Sequence, residues 1–245
     1  MERVASIYVK CGDYSYLRAY NEIENATAFM IRNIVFDFDG TLVDTAPLIV
    51  ATMRAAIAEL GLPARTEAEC RATIGLRLEE IPAALWPERN DISALYAATY
   101  RRIFEELKRP LSVSCFPGVV ETVRKLRASG FGMAIASSRS HKSLDEYIGL
   151  FGLTGCFEMV VGGDDVANGK PAPDPVLAIT DNLGWNVGET LVVGDAVYDI
   201  EMGRDAGART CAVTYGNGSL AELRSVAPDA IIDTFSALPD IASEL

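Results

Sequence analysis

Only one histidine, His141, stands in the 245 residues, and none of the five cysteines (Cys11, Cys70, Cys115, Cys156, Cys211) belongs to a CxxC pair. Zinc sites built on clustered His and Cys, and dithiol redox exchange, therefore lack their ligand spacing. Scattered thiols in odd number read as reduced cysteines of a cytoplasmic protein. Basic residues are also scarce: 22 Lys and Arg against 34 Asp and Glu leave a formal charge of −12. That field repels a polyanion and argues against nucleic acid as a partner, although a local basic pocket can still hold a small phosphate. Long apolar runs are missing too. None approaches the roughly 18 residues of a membrane span. Glu2, Lys10, Asp13, Arg18, Glu22 and Glu24 interrupt the stretch where a signal peptide would be apolar. No membrane partner is expected, and the chain reads as a monomer or homodimer.

What is present is ordinary globular material, 49% hydrophobic and 23% charged, long enough for one large domain or for a domain carrying a smaller insert. Residues 1–29 show no period and read as an extension of unknown role. From Ile31 to Phe36 a β-branched, apolar run predicts a buried strand, delivering Asp37-Phe38-Asp39-Gly40-Thr41 to its carboxyl end. Helical periodicity then holds from about Pro47 to Cys115 with no strand among it, which predicts a helical insert over 47–115. After Phe116-Pro117-Gly118 the pattern alternates. Helices are expected at Val119–Arg127, Leu144–Phe151, Pro175–Leu183 and Val197–Ala206. Strands are expected at Phe131–Ala136, Phe157–Val161, Thr190–Val193, Thr210–Thr214 and Ala230–Ile232. The fold class is therefore α/β: a doubly wound, Rossmann-like parallel sheet over 30–46 and 116–245, interrupted by the helical insert.

In such sheets ligands bind beyond the carboxyl ends of the strands. Three predicted strands end there in polar groups: Asp37 and Asp39, Ser137 and Ser138, and Gly194-Asp195. An Asp-x-Asp pair at a strand end is as often a turn as a site, and Asp195 alone could cap the following helix. Asp199 lies four residues beyond Asp195, on the same helical face. Gathered at one sheet edge, these carboxylates would repel one another and need a cation; hard oxygen donors without His or Cys favour Mg²⁺. Lys170, set among the turn residues of Gly169-Lys170-Pro171-Ala172-Pro173, adds a fixed positive charge.

Four strings in order, DFDGTLVDT from Asp37, Ser137 after GMAIA, Lys170 in GKPAPDP and GDAVYD from Gly194, resemble the motifs of the haloacid dehalogenase superfamily. The insert resembles the cap of the subfamily that places it directly after the first motif. The resemblance implies that Asp37 is a nucleophile forming an aspartyl-phosphate and that Asp39 is the general acid and base. It implies a Mg²⁺ held by Asp37, the Asp39 backbone carbonyl and Asp195, with Asp199 either a further ligand or a support behind the ligands, and with Lys170, Thr41, Ser137 and Ser138 around the phosphoryl group. Asp39 speaks against dehalogenation, whose leaving group needs no proton. Ile49 stands where the β-phosphoglucomutase-like mutases carry histidine, which favours hydrolysis over mutation. The strings GGDDVANGKPAPDP and Ile74 to Glu80 look most like phosphoglycolate phosphatases and related pyrophosphatases, so a small phosphorylated metabolite is the expected partner. Arg77 is the candidate grip on a substrate carboxylate or second phosphate, or else a surface arginine. A catalytically silent protein on the same fold is the different-class alternative. His141 is expected to cap or face solvent, Trp86 and Trp185 to pack, and Asp164-Asp165 to form a turn or help place Lys170 and the metal. A lid closing over the carboxylates would hinge near Thr45–Pro47 and Cys115–Gly118.

Overall fold

Ile34, Val35 and Phe36 point alternately to two faces, and all three are fully buried. A strand with this pattern needs cover on both sides, which only a sandwiched parallel sheet supplies. The computed structural model describes residues 30–109 and 113–245. Its strands are β1 (Asn33–Phe36), β2 (Val43–Asp44), β3 (Ser114–Cys115), β4 (Gly132–Ala136), β5 (Met159–Val161), β6 (Thr190–Gly194), β7 (Arg209–Val213) and β8 (Ala230–Ile232). Six of them form one sheet in the order β5-β4-β1-β6-β7-β8, with every neighbouring pair parallel. The chain builds outward from β1 to β4 and β5, then returns to β1's other side for β6, β7 and β8. That reversal puts the topological switch point beside β1, where Asp37 follows.

One face of the sheet, including Ile34, Phe36, Ile135, Leu191 and Val193, merges with Val119, Val123, Leu126 and Leu144 of the covering helices. The other face, with Val35, Ala134 and Val192, packs on Val176, Ile179 and Met202. The doubly wound α/β architecture expected from the alternation is thus present. Its helix Val197–Ala206 has the expected bounds. Helix His141–Leu150, by contrast, starts three residues before the predicted Leu144. Asp164, from a distant loop, accepts the His141 N–H at 2.8 Å and so satisfies a first-turn donor that no local residue caps. Strand β5 starts at Met159 rather than Phe157.

Between β2 and β3 lie the helices Ala46–Glu59, Glu67–Arg71, Ile81–Leu85 and Ser93–Leu107. The first begins beside Pro47 and stops at Leu60, after which Gly61 takes φ +62°. The expectation of no strand in this stretch is corrected at its end. Ser114–Cys115 pairs antiparallel with Val43–Asp44, joining the segment's exit to its return; two residues are too short for an alternating pattern to show. Along Ser93–Leu107 the residues Tyr96, Tyr100 and Phe104 stand four apart and touch ring to ring, with Trp86 against Tyr96 at 6.3 Å. Trp86 is therefore a packing residue, and Trp185 packs beside β4 at Gly132. No helix among the described residues is long and apolar enough to cross a membrane. The predicted extension at 1–29, with Cys11, lies outside the described residues.

Candidate active site

Strand β1 ends where the Asp37 N–H donates to Val193 O at 2.9 Å, and the chain then curls back, Leu42 and Val43 N–H both donating to Phe38 O. The curl breaks the two-residue alternation, and Asp37 and Asp39 part company. Asp37 turns toward the end of β6; Asp39 turns toward the loop after β4. Gly40 at φ +100° makes the bend, and a Cβ there would run into Asp195 and Asn217. Glycine is thus required both by conformation and by the close approach.

Asp37, Asp195 and Asp199 bring carboxylate oxygens within 4.8 Å of one another, all buried. Lys170, only 2% exposed, donates to Asp37 Oδ1 at 2.5 Å and Asp199 Oδ1 at 2.6 Å. Asp199 Oδ2 accepts the backbone N–H groups of Asp195 and Ala196, so Asp199, not Asp195, caps the helix Val197–Ala206. Asp195 is pinned through both oxygens. Thr41 Oγ1 donates to Oδ1 at 3.1 Å, while the Asn217 backbone N–H and side-chain amide donate to Oδ2. Among the described residues Asp37 Oδ2 alone in the cluster accepts no protein hydrogen bond.

One lysine faces three buried carboxylates, and the imbalance bears on the acidity of Asp37 and Asp195. Burial, then Asp199 and Asp195, push the Asp37 carboxyl well above its usual range against the pull of Lys170. Burial and Asp199 push Asp195 up to about 7. A hard divalent cation fits this donor set: oxygen ligands only, surplus negative charge and a carboxylate oxygen without a partner. Asp37 and Asp195 would hold it, and Asp199 would orient Lys170 and the loop. A pH effect follows from the sign. A carboxyl whose folded value lies above its ordinary 3.8 contributes stability below about 4 that is lost as pH rises toward 7. In chelator, the wild type is therefore expected to lose thermal stability between pH 4.5 and 7.5 more steeply than Asp195→Asn. Magnesium at pH 7.5 should recover it in the wild type alone. Parallel melting curves for the two proteins would refute the assignment.

Asp39 sits apart from this cluster. Its Oδ1 accepts from Thr45 Oγ1 at 2.6 Å, and the Arg139 guanidinium grips both of its oxygens, Nη2 on Oδ1 at 2.5 Å and Nε on Oδ2 at 3.0 Å. Arg139 itself lies against the rings of Phe38, Phe104 and Tyr147, its carbon 5.1 to 5.9 Å from their centroids. Asp37, Asp39, Ser137, Ser138 and Arg139 open into a cavity of about 760 Å³, whose far wall includes Ile49, Tyr100 and Phe104.

The other sequence candidates fall in two groups. Ser137 is buried at this wall, accepting the Arg139 N–H at 3.3 Å. Ser138 Oγ donates to Gly75 O at 2.5 Å, tying the β4 loop to the helical segment. Thr41 is spent on Asp195. Arg77 lines the cavity with its terminal nitrogens donating to the carbonyls of Ala167 and Val166, both at 2.8 Å. It braces the lysine loop. His141 lies 2.6 Å from Asp165, which draws its imidazole upward in pKa, and it is half exposed, outside the cavity lining. Asp165 also accepts the Gly162 N–H, and neither it nor Asp164 joins the carboxylate cluster. Burial pushes the Cys115 thiol up to about 11 and Cys211 up to about 12, which removes both as nucleophiles at neutral pH.

Arg139 and Asn217 were not flagged as site residues by sequence. Arg139 stands two residues beyond Ser137 at the same strand end, a position from which its arrival could have been read. Asn217 carried no such signal; its loop follows β7 and is held against Asp195 by Gly216 and Gly218, where any Cβ would collide.

The family of haloacid dehalogenase-like hydrolases matches residues 34–213 of the chain. The curated protein named "Probable phosphatase IndB" from Dickeya dadantii is 34% identical over 86% of this chain and 94% of its own length. A phosphoglycolate phosphatase of Yersinia pestis is 31% identical, over 85% and 91%. A solved haloacid dehalogenase-like hydrolase from Bacteroides fragilis superposes with a TM-score of 0.80 at 26% identity, covering 85% of this chain and 99% of that one. A β1 loop with two aspartates, a lysine loop and an acidic β6 end thus converge on the switch point of a fold shared with these proteins. The chain belongs to the haloacid dehalogenase-like hydrolases.

Proposed function

We propose that the protein is a cytoplasmic, Mg²⁺-dependent phosphatase that hydrolyses a small phosphorylated metabolite, phosphoglycolate-like in size and charge, through an aspartyl-phosphate. The observation that carries the reading is Asp37, which lines the cavity: its Oδ1 is fixed by Lys170, and among the described residues its Oδ2 accepts no hydrogen bond. Magnesium, when bound, neutralises phosphoryl charge as a Lewis acid.

The residues divide the remaining work. Asp37 Oδ2 attacks phosphorus as the bond to the leaving oxygen breaks, giving an acyl phosphate on Asp37 and an alcohol. Asp39 supplies the alcohol's proton and later takes one from the water that cleaves the acyl phosphate, restoring both carboxyl groups. Lys170 and Ser137 hold the phosphoryl oxygens, and Asp199 keeps the lysine aimed. Ile49 lines the cavity where the mutases present histidine, which supports water as the acceptor.

The test is phosphate release from a panel of phosphorylated metabolites. Turnover is expected with magnesium, to vanish in excess chelator and to return when magnesium is restored. Release that survives full chelation would overturn the metal requirement. Isomerisation of a hexose 1-phosphate outpacing phosphate release would replace hydrolysis with mutation.

A further inference from the structure

Arg139 is held more elaborately than its neighbours require. Its side chain is 8% exposed, boxed by Phe38, Phe104 and Tyr147, and its Nη1 donates to Ser143 at 3.0 Å while the fork closes on Asp39. Phe104 belongs to the helical segment and Tyr147 to the sheet domain, so the guanidinium sits on the seam between them. It also lines the cavity, one loop step from Ser137.

The other cations on that wall are held by groups the proposed reaction does not use, although the buried Arg77 Nε has no partner among the described residues. Arg77 is bonded to two carbonyls and Arg101 to Glu79. Lys170, behind the wall, holds Asp37 and Asp199. Among the described residues lining the cavity, Arg139 is the cation whose partner is a side chain the proposed reaction needs elsewhere. Both oxygens of Asp39 are engaged, and facing a leaving oxygen takes at least one of them away from the fork. A guanidinium this deeply buried is strongly disfavoured without an anion opposite it. Its planar fork accepts a carboxylate or a phosphate in the same bidentate geometry that Asp39 uses now.

We propose that Arg139 is the docking point for a second anionic group, a carboxylate or a phosphate, carried on the leaving-group side of the substrate, and that its arrival frees Asp39 for the reaction. The proposal rests on the phosphatase reading, and it narrows the substrate class to phosphomonoesters bearing a second anion. Arg139 then selects the substrate as well as restraining Asp39 when none is bound.

Binding of unreactive phosphonates, followed by calorimetry in saturating magnesium, tests it apart from turnover. The probes are 3-phosphonopropionate and 4-phosphonobutyrate, which end in carboxylate, propane-1,3-diphosphonate, which ends in a second phosphonate, and neutral-tailed propyl- and butylphosphonate. The wild type is expected to bind the best anion-tailed probe about tenfold or more tighter than its neutral partner, the increment of one charged hydrogen-bonded pair. Whether carboxylate or phosphonate leads names the second anion. Arg139→Gln should erase the preference while leaving affinity for propylphosphonate within about threefold. Arg139→Lys keeps the charge without the fork and should retain part of the preference, which guards against a Gln variant that fails to fold. Equal binding of tailed and neutral probes by the wild type, or a preference that survives Arg139→Gln, overturns the proposal. Wild-type phosphate release from the panel of phosphorylated metabolites, phosphoglycolate among them, is measured alongside. Its absence sinks the phosphatase reading whatever the phosphonates show, and its presence with no anion preference sinks the Arg139 site alone.

Discussion

Asp37→Asn is expected to lower phosphate release by about 10⁴-fold or more, in line with the loss of a nucleophile in other hydrolases. The same change should leave melting temperature unchanged or raised. The two results belong together. Asparagine fills the same space, and its carbonyl can still accept from Lys170, so the packing survives. An amide oxygen is a poor nucleophile and carries no charge. Burial already pushes the Asp37 carboxyl upward, and Asp195 and Asp199 push in the same direction. Removing that charge therefore relieves repulsion while it removes the attacking group. Stability without activity is the signature of a site arranged for chemistry rather than for packing. A phosphate-release assay and a thermal melt on one preparation check both arms. Turnover within tenfold of wild type would mean that another group attacks.

Lys170→Met should fail on both counts: activity lower by about 10³-fold, in the range seen when one preorganised charge-stabilising donor is removed, and stability lower by about 3–5 kcal/mol. Methionine matches the lysine stem in length, so the loss is one of charge and hydrogen bonds. Asp37 and Asp199 then face each other at the bottom of the site with nothing between them. The two carboxylates share one partner, so the effects should not add. Combining Lys170→Met with Asp37→Asn is expected to regain part of the stability and none of the activity. Denaturant titration of the four proteins at one pH gives the coupling. Additive losses would show that Lys170 supports its loop rather than the carboxylates.

Local pattern carried much of this in the sequence. A short β-branched run before Asp37-Phe38-Asp39-Gly40-Thr41 marks a buried strand and its loop, because strand period and turn residues are encoded within a few positions. The order of helices and strands after Phe116 follows for the same reason, and with it the switch point. The four-residue step from Asp195 to Asp199 correctly places both near one site. Its division of labour is hidden, since the bonds of Asp199 to the Asp195 and Ala196 N–H groups depend on how the helix starts. The Arg139 fork joins residues 100 positions apart, and no local period reports such a contact. Arg77 looked free on paper because carbonyls become visible acceptors only when the lysine loop is laid beside it. Thr41 likewise serves Asp195, across 154 positions.

The paired exit and return of the helical segment restrict how it can travel. Val43 opposite Cys115 and Asp44 opposite Ser114 make a short double-stranded strap, with the Phe116 N–H donating to Leu42 O just beyond. A strap cross-linked by backbone bonds flexes across its flat side far more readily than it shears or twists. Anchored at both ends by this strap, the helical segment keeps Phe104 seated over Arg139, 5.2 Å from its guanidinium carbon.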